Sequence, residues 1–195
     1  MTTTLATEPI SPTRAFLSAH SLTLLTACLV AVTAARLGVS AELPAMVAFV
    51  FGGVLLAAID WKVHRLPRTI VYRTMAAVAV GLVFAAVVEA RWQPLVTAAV
   101  GALAFANAFF LVWFLTSRFA GMRVIGYGDI RLAALLGMVL GWYGIPTLVY
   151  GAALGHLFAL VIAVAISLRS GRLRLDYAFG PPLLAGAFVV VLVQG

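Results

Sequence analysis

Acidic residues are scarce in this chain: six Asp and Glu among 195 residues, against 13 Lys and Arg, with only 10% of all residues charged. A soluble domain carries about 25% charge, so this chain lacks the polar surface that a water-filled environment requires. Cysteine is scarcer still. The single one, Cys28, lies in an apolar run, which excludes a disulfide framework or a Cys-rich zinc site within one chain. The three histidines, His20, His64 and His156, stand far apart without metal-ligand spacing, so neither a metal nor another cofactor is expected.

What the chain has is apolar length. Hydrophobic residues make up 64% of it and the mean hydropathy is +1.13. A membrane-spanning helix needs roughly 20 mostly apolar residues, and about seven such stretches fit, near 20–38, 44–60, 69–90, 95–117, 129–142, 145–168 and 177–194. The reading is an all-α, polytopic transmembrane helix bundle of six to seven spans, with a flexible tail over 1–19 and a single membrane domain over 20–195. The fifth span is the weakest, being short and followed closely by the turn signals Gly141, Gly144 and Pro146. The first span also has features of a signal peptide, with Arg14 ahead of an apolar stretch ending near Ala34 and Ala35. Six further spans favour its retention as a helix.

The excess of positive charge has two readings. In a soluble protein +7 points to nucleic acid. With seven spans and a cytoplasmic N-terminus, however, Arg14, Lys62, Arg65, Arg68, Arg73, Arg118, Arg123, Arg131, Arg169, Arg172 and Arg174 all fall on the inner face, and only Arg36 and Arg91 fall outside. That is the positive-inside pattern. The cations are topological and lipid-facing, and nucleic acid is not an expected partner.

Each carboxylate can then be judged individually. Glu8 lies in the tail, Glu42 and Glu89 in outer loops near Arg36 and Arg91 as solvated residues, and Asp176 among inner-face arginines. Asp60 closes the second span and Asp129 opens the fifth, both at the cytoplasmic end. A carboxylate at a helix centre in lipid costs about 2.5–3.5 kcal/mol, less near the edge, so these two are functional candidates. The bland alternative pairs Asp60 with Lys62 or Arg65, and has Asp129 pair with Arg131 or cap its own helix. Gly126 and Gly128 around Tyr127 weigh against it, offering backbone freedom and close approach where Asp129 is presented. Leu66-Pro67 ends one element and starts the next.

Asp60 followed by Leu66-Pro67, with Gly126-Tyr127-Gly128-Asp129-Ile130-Arg131-Leu132, resembles the two signature motifs of the type IV prepilin peptidases, intramembrane aspartic proteases of the GxGD type. Ala178-Phe179-Gly180-Pro181-Pro182 resembles the Phe-Gly-Pro stretch of their last helix. The resemblance covers about residues 45–190. Arg131 stands where the family commonly has Lys, and Ala178 where a proline often stands. The four-cysteine insertion associated with N-methylation in the longer, bifunctional members has no counterpart, so the resemblance is to short, peptidase-only members, including those serving Flp/Tad-type pili.

The resemblance implies Asp60 and Asp129 as catalytic residues, with Pro67, Gly126, Tyr127, Gly128 and Arg131 positioning them. It implies a prepilin-like membrane substrate, with a short hydrophilic leader ending in glycine ahead of an apolar helix, cut at the cytoplasmic face of the inner membrane. Two neighbouring acids share one proton and titrate as a unit. Asp60 at a helix C-terminus and Asp129 at an N-terminus are favoured by the macrodipole as resting acid and resting carboxylate respectively, although Lys62 and Arg65 act against this.

Other features have structural readings. Gly137 with Gly141, and Gly151 with Gly155, allow close helix packing. Asn107 and His156 suit interhelical hydrogen bonds, His64 a solvated loop, and Tyr127 either packing or substrate contact. Trp61, Trp92, Trp113 and Trp142 fit an interfacial belt. The competing functions are a small proton-coupled transporter or channel, which calls for a polar stripe leading to the acids, and a non-catalytic pilus or secretion assembly factor.

Overall fold

The computed structural model describes residues 12–63, 66–119, 126–170 and 178–194. Within them the chain forms seven helices: α1 Pro12–Leu37, α2 Leu43–Val63, α3 Arg68–Val88, α4 Gln93–Phe119, α5 Tyr127–Trp142, α6 Ile145–Ser170 and α7 Gly180–Gln194. The described residues contain no strand. Apolar length dictates this outcome, because backbone N–H and C=O groups in hydrocarbon must be satisfied within the helix itself. Proline marks the first turn of several helices, where its missing N–H costs nothing. Examples are Pro12 in α1, Pro94 in α4 and Pro181 in α7.

Five helices, α1 from His20, α2, α3, α4 and α6, are long and apolar enough to cross a membrane, so the chain is a multi-pass membrane protein. Helices α5 and α7 are shorter, 16 and 15 residues. At 1.5 Å per residue each covers about 22–24 Å, less than the roughly 30 Å hydrocarbon core. These two short helices are also densely buried ones: Leu132, Ala133, Leu135, Leu136, Val139 and Leu140 of α5, and Leu183, Leu184, Ala187 and Val191 of α7, belong to the core. Helix α1 begins at Pro12, earlier than the expected tail boundary at residue 19. Residues 1–11, with His64, Arg65, Arg123, Arg172, Arg174 and Asp176, lie outside the described residues.

Neighbouring helices pack antiparallel in pairs: α2 on α3, α4 on α5, and α6 on α7, with α1 against the outside of α2. Glycines set the closest approaches, since each lets one backbone meet another without an intervening Cβ. A Cβ on Gly101 or Gly137 would lie 2.3 or 2.2 Å from the other residue's carbonyl oxygen. The α6–α7 crossing is similar, with Gly186 against the backbone of Gly155. Gly81 of α3 meets the backbone of Ala45, and Gly52 of α2 meets Thr74. The close backbone approach expected of these glycines is seen at Gly137, Gly141 and Gly155, Gly141 resting on Thr97 and Ala98, whereas Gly151 meets the side chain of Leu140.

Candidate active site

Asp60 lies in the last turn of α2 and is 5% exposed. Its Oδ2 accepts the backbone N–H of Gly180, the first residue of α7, at 3.0 Å. A Cβ on Gly180 would stand 2.8 Å from that oxygen and 3.3 Å from Cδ2 of Leu132. Any side chain at 180 would therefore have to displace the Asp60 carboxylate or the start of α7. Leu132 follows Asp129 by one helical turn, so the two share a face of α5. The two carboxylates are thus brought to one end of the bundle, where Gly180 meets both Asp60 and the α5 turn that follows Asp129.

Asp129 is held by its own helix end. Its N–H donates to the carbonyl of Gly126 at 3.1 Å, and its Oδ2 accepts the N–H of Gly126 at 3.1 Å. This reciprocal pair satisfies a donor that would otherwise be orphaned at the helix start. The capping expected of an ordinary structural aspartate is therefore present, and it uses one carboxylate oxygen.

The two glycines of Gly126-Tyr127-Gly128 contribute differently from the expected backbone freedom. Gly126 has an ordinary φ of −83°, which any residue adopts. Gly128 provides space: a Cβ there would lie 2.9 Å from Cβ of Leu66. Leu66 is itself buried, and Pro67 after it caps α3, its carbonyl accepting the N–H groups of Ile70 and Val71. The Leu66-Pro67 and glycine-aspartate motifs are therefore in direct contact, although widely separated in sequence.

Arg131 turns to α3 and not to Asp129. Its Nε donates to the hydroxyl of Tyr72 at 3.1 Å, and its guanidinium lies 5.6 Å from the centre of the Tyr72 ring. Tyr127 is half exposed, with its ring 4.7 Å from that of Trp113. Packing is the role seen for it. Among the described residues no group of three or more His, Cys, Asp or Glu comes together to hold a metal ion.

Three expectations are corrected at the other residues. Asn107 and His156 do not bond across helices: Nδ2 of Asn107 donates to the carbonyl of Leu103, and Nδ1 of His156 to that of Ala152, each one turn back on its own helix at 2.7 Å. A carbonyl one turn away is always within reach of a short polar side chain. Trp142 is buried, not in a belt, and its indole N–H donates to Glu42. Glu42 is accordingly no freely solvated loop residue, for Tyr143 also donates to it, at 3.1 Å. Burial, the Glu42 charge and that hydrogen bond all push the Tyr143 phenol far above its ordinary range, so it remains a donor. Trp61 and Trp92 are exposed, as a belt requires, and Glu89, expected as a solvated residue, pairs with Arg91 at 3.4 Å on the surface.

The contact that sequence reasoning missed is Gly180 on Asp60. Its signal was the Phe179-Gly180-Pro181 stretch, with a glycine directly before the proline-started helix.

Residues 46–168, more than half of the chain, match the sequence profile of the type IV leader peptidase family. Among curated proteins, the chain is similar to the prepilin leader peptidase/N-methyltransferase of Pectobacterium carotovorum subsp. carotovorum, 32% identical over 142 residues, which are 73% of this chain and 48% of the relative. The protein of the same name from Dickeya chrysanthemi is 35% identical over 140 residues, 71% of this chain and 47% of the relative. That from Pseudomonas putida is 31% identical over 164 residues, covering 83% and 54%. The chain spans about half the length of these relatives. No solved structure matches significantly.

Proposed function

From the premise that the chain belongs to the type IV leader peptidase family, we propose that it is a membrane-embedded aspartic endopeptidase that removes the leader of prepilin-like precursors, with Asp60 and Asp129 as its catalytic residues. The observation that carries this reading is the convergence of these two carboxylates, one from the end of α2 and one from the start of α5, on the start of α7 at Gly180. Gly128, packed on Leu66, and Gly180, packed on Asp60 and Leu132, support it by letting these helix ends approach closely, with Pro67 starting α3 directly after Leu66.

In the reaction, one carboxylate takes a proton from water as the water oxygen attacks the scissile carbonyl carbon. The other, protonated, carboxyl gives its proton to the carbonyl oxygen. A tetrahedral diol forms; as the C–N bond breaks, the leaving amine takes the proton that the first carboxylate gained from water, and one diol hydroxyl returns its proton to the second carboxylate, leaving the acid product and the starting pair. Each acid receives a backbone N–H on its Oδ2, from Gly180 or Gly126, which fixes its orientation. The sequence-based assignment of Asp129 as resting carboxylate rested on Asp60 lying only at a helix C-terminus. In the fold Asp60 also faces the start of α7, so the dipole argument no longer distinguishes the two.

The substrate we propose is a prepilin-like membrane protein, Flp/Tad-type precursors included, cut after a leader glycine at the inner face of the cytoplasmic membrane, with the N-terminus of this chain on that same face. Lys62, Arg68, Arg73, Arg118 and Arg169 flank the helix ends nearest the site in sequence and suit anionic lipid. Neither Asn107 nor His156 extends a polar stripe to the acids, since each bonds within its own helix, and a proton-coupled transporter has no observation in its favour. Co-expression with a candidate prepilin, followed on a gel, tests the proposal. Cleavage by the wild type and none by Asp60→Ala or Asp129→Ala is expected; cleavage that survives both substitutions ends the protease reading.

A further inference from the structure

His156 is an ionisable residue within an apolar helix that the proposed reaction does not use. Its Nδ1 meets a carbonyl oxygen, that of Ala152, at 2.7 Å. A carbonyl can only accept, so Nδ1 carries the proton and the ring orientation is fixed from its own helix. That orientation presents the ring to two aromatic neighbours from other elements. Phe179 lies 5.8 Å away, centre to centre, with the planes at 70°, and Phe109 of α4 lies 5.9 Å away. Phe109 and Phe179 are themselves 6.2 Å apart. These separations are those of attractive edge-to-face and tilted pairs.

Phe179 is followed by Gly180, whose N–H is the donor to Asp60. The peptide that carries this donor thus joins a residue seated on His156 to one seated on the carboxylate. Next to His156, Gly155 brings the α6 backbone against Gly186 and Leu183 of α7, so α6 grips α7 beside the same turn. We infer that His156 is a positioning residue of the active site: its ring seats Phe179, and through the Phe179–Gly180 peptide it aims the Gly180 N–H at Asp60. The role rests on the protease reading, because it concerns the alignment of a carboxylate assigned there as catalytic. The aromatic ring performs it, not a charge.

A test without substrate reads the Gly180 amide directly. Phe-Gly occurs in this sequence only at 51–52 and 179–180. Full-length protein in lipid nanodiscs, labelled with 13C-carbonyl Phe and 15N-Gly, therefore gives two amides in a carbonyl-filtered NMR spectrum, and Phe51→Leu identifies that of Gly52. An amide proton bound to a carboxylate resonates downfield. In His156→Leu the Gly180 proton is expected to move upfield while Gly52 stays, and in His156→Phe both stay. His156→Gln, also without a ring, is read in the same way should the leucine variant fail to fold.

In the cleavage assay, His156→Leu is expected to lower kcat about tenfold, the scale of a sub-ångström misplacement of a catalytic group, with KM little changed, and His156→Phe to stay near wild type. A Gly180 resonance that is unmoved in the ringless variants, or moved as far in His156→Phe, overturns the inference. Failure of the wild type to cleave any prepilin would instead retire the protease reading, and the resonance separates the two failures.

Discussion

Gly180 donates its N–H to Oδ2 of Asp60 across 120 positions of sequence, at 3.0 Å, and has no room for a Cβ in doing so. The two features act together: the donor orients the carboxylate, and the missing side chain lets α7 begin against it. Gly180→Ala is expected to push Asp60 or the start of α7 aside and to lower kcat by about ten- to a hundredfold, while the helical circular-dichroism signal is retained. Full activity in this variant would show that the close contact is dispensable.

Asp60→Asn and Asp129→Asn preserve size and remove the ability to exchange a proton. Each is expected to reduce cleavage below about one part in a thousand of wild type, as loss of one member of a catalytic unit does. The double variant should be no worse than either single one, because the two act as a unit. Quantitative gel densitometry on purified variants in lipid measures this. Additive losses would argue that the carboxylates act separately.

The far end of the bundle offers a prediction about stability. Glu42, just before α2, receives hydrogen bonds from Trp142 and Tyr143 at the end of α5. The two helices that carry the aspartates are thereby tied at their opposite ends. Glu42→Ala leaves a buried indole N–H without its acceptor and is expected to destabilise the protein by about 2 kcal/mol. Thermal unfolding in detergent, compared with Glu89→Ala as an exposed control, checks it; equal behaviour of the two would contradict the tie.

Gly101→Ala and Gly137→Ala address the α4–α5 seam. A Cβ at either position would overlap a carbonyl of the partner helix, and backbone cannot rotate out of the way as a side chain can. Each is expected to cost about 1–3 kcal/mol and to reduce cleavage, since α5 carries Asp129. Gly38→Ala meets no atom within 4 Å but sits at a φ of +60°, so its cost should be a smaller, purely conformational one. A Gly101→Ala variant as stable as Gly38→Ala would show that the seam relaxes.

By itself the sequence determined the elements and singled out the two acids. Apolar runs of membrane length must become helices because lipid provides no partners for the backbone, and α2, α3, α4 and α6 lie within a few residues of the expected spans. Asp129 was equally legible, because its capping contact to Gly126 spans only three residues and depends on local geometry alone. Tertiary structure decided what the acids meet. Only packing brings Gly128 onto Leu66, Gly180 onto Asp60, and Trp142 and Tyr143 onto Glu42. Asn107 and His156, by contrast, bond locally, each to a carbonyl one turn back on its own helix. The physical reason is range: a hydrogen bond within one turn is available to any sequence that forms the helix. A glycine contact between helices exists only once their crossing point is fixed by every other packed residue, and no spacing along the chain encodes it.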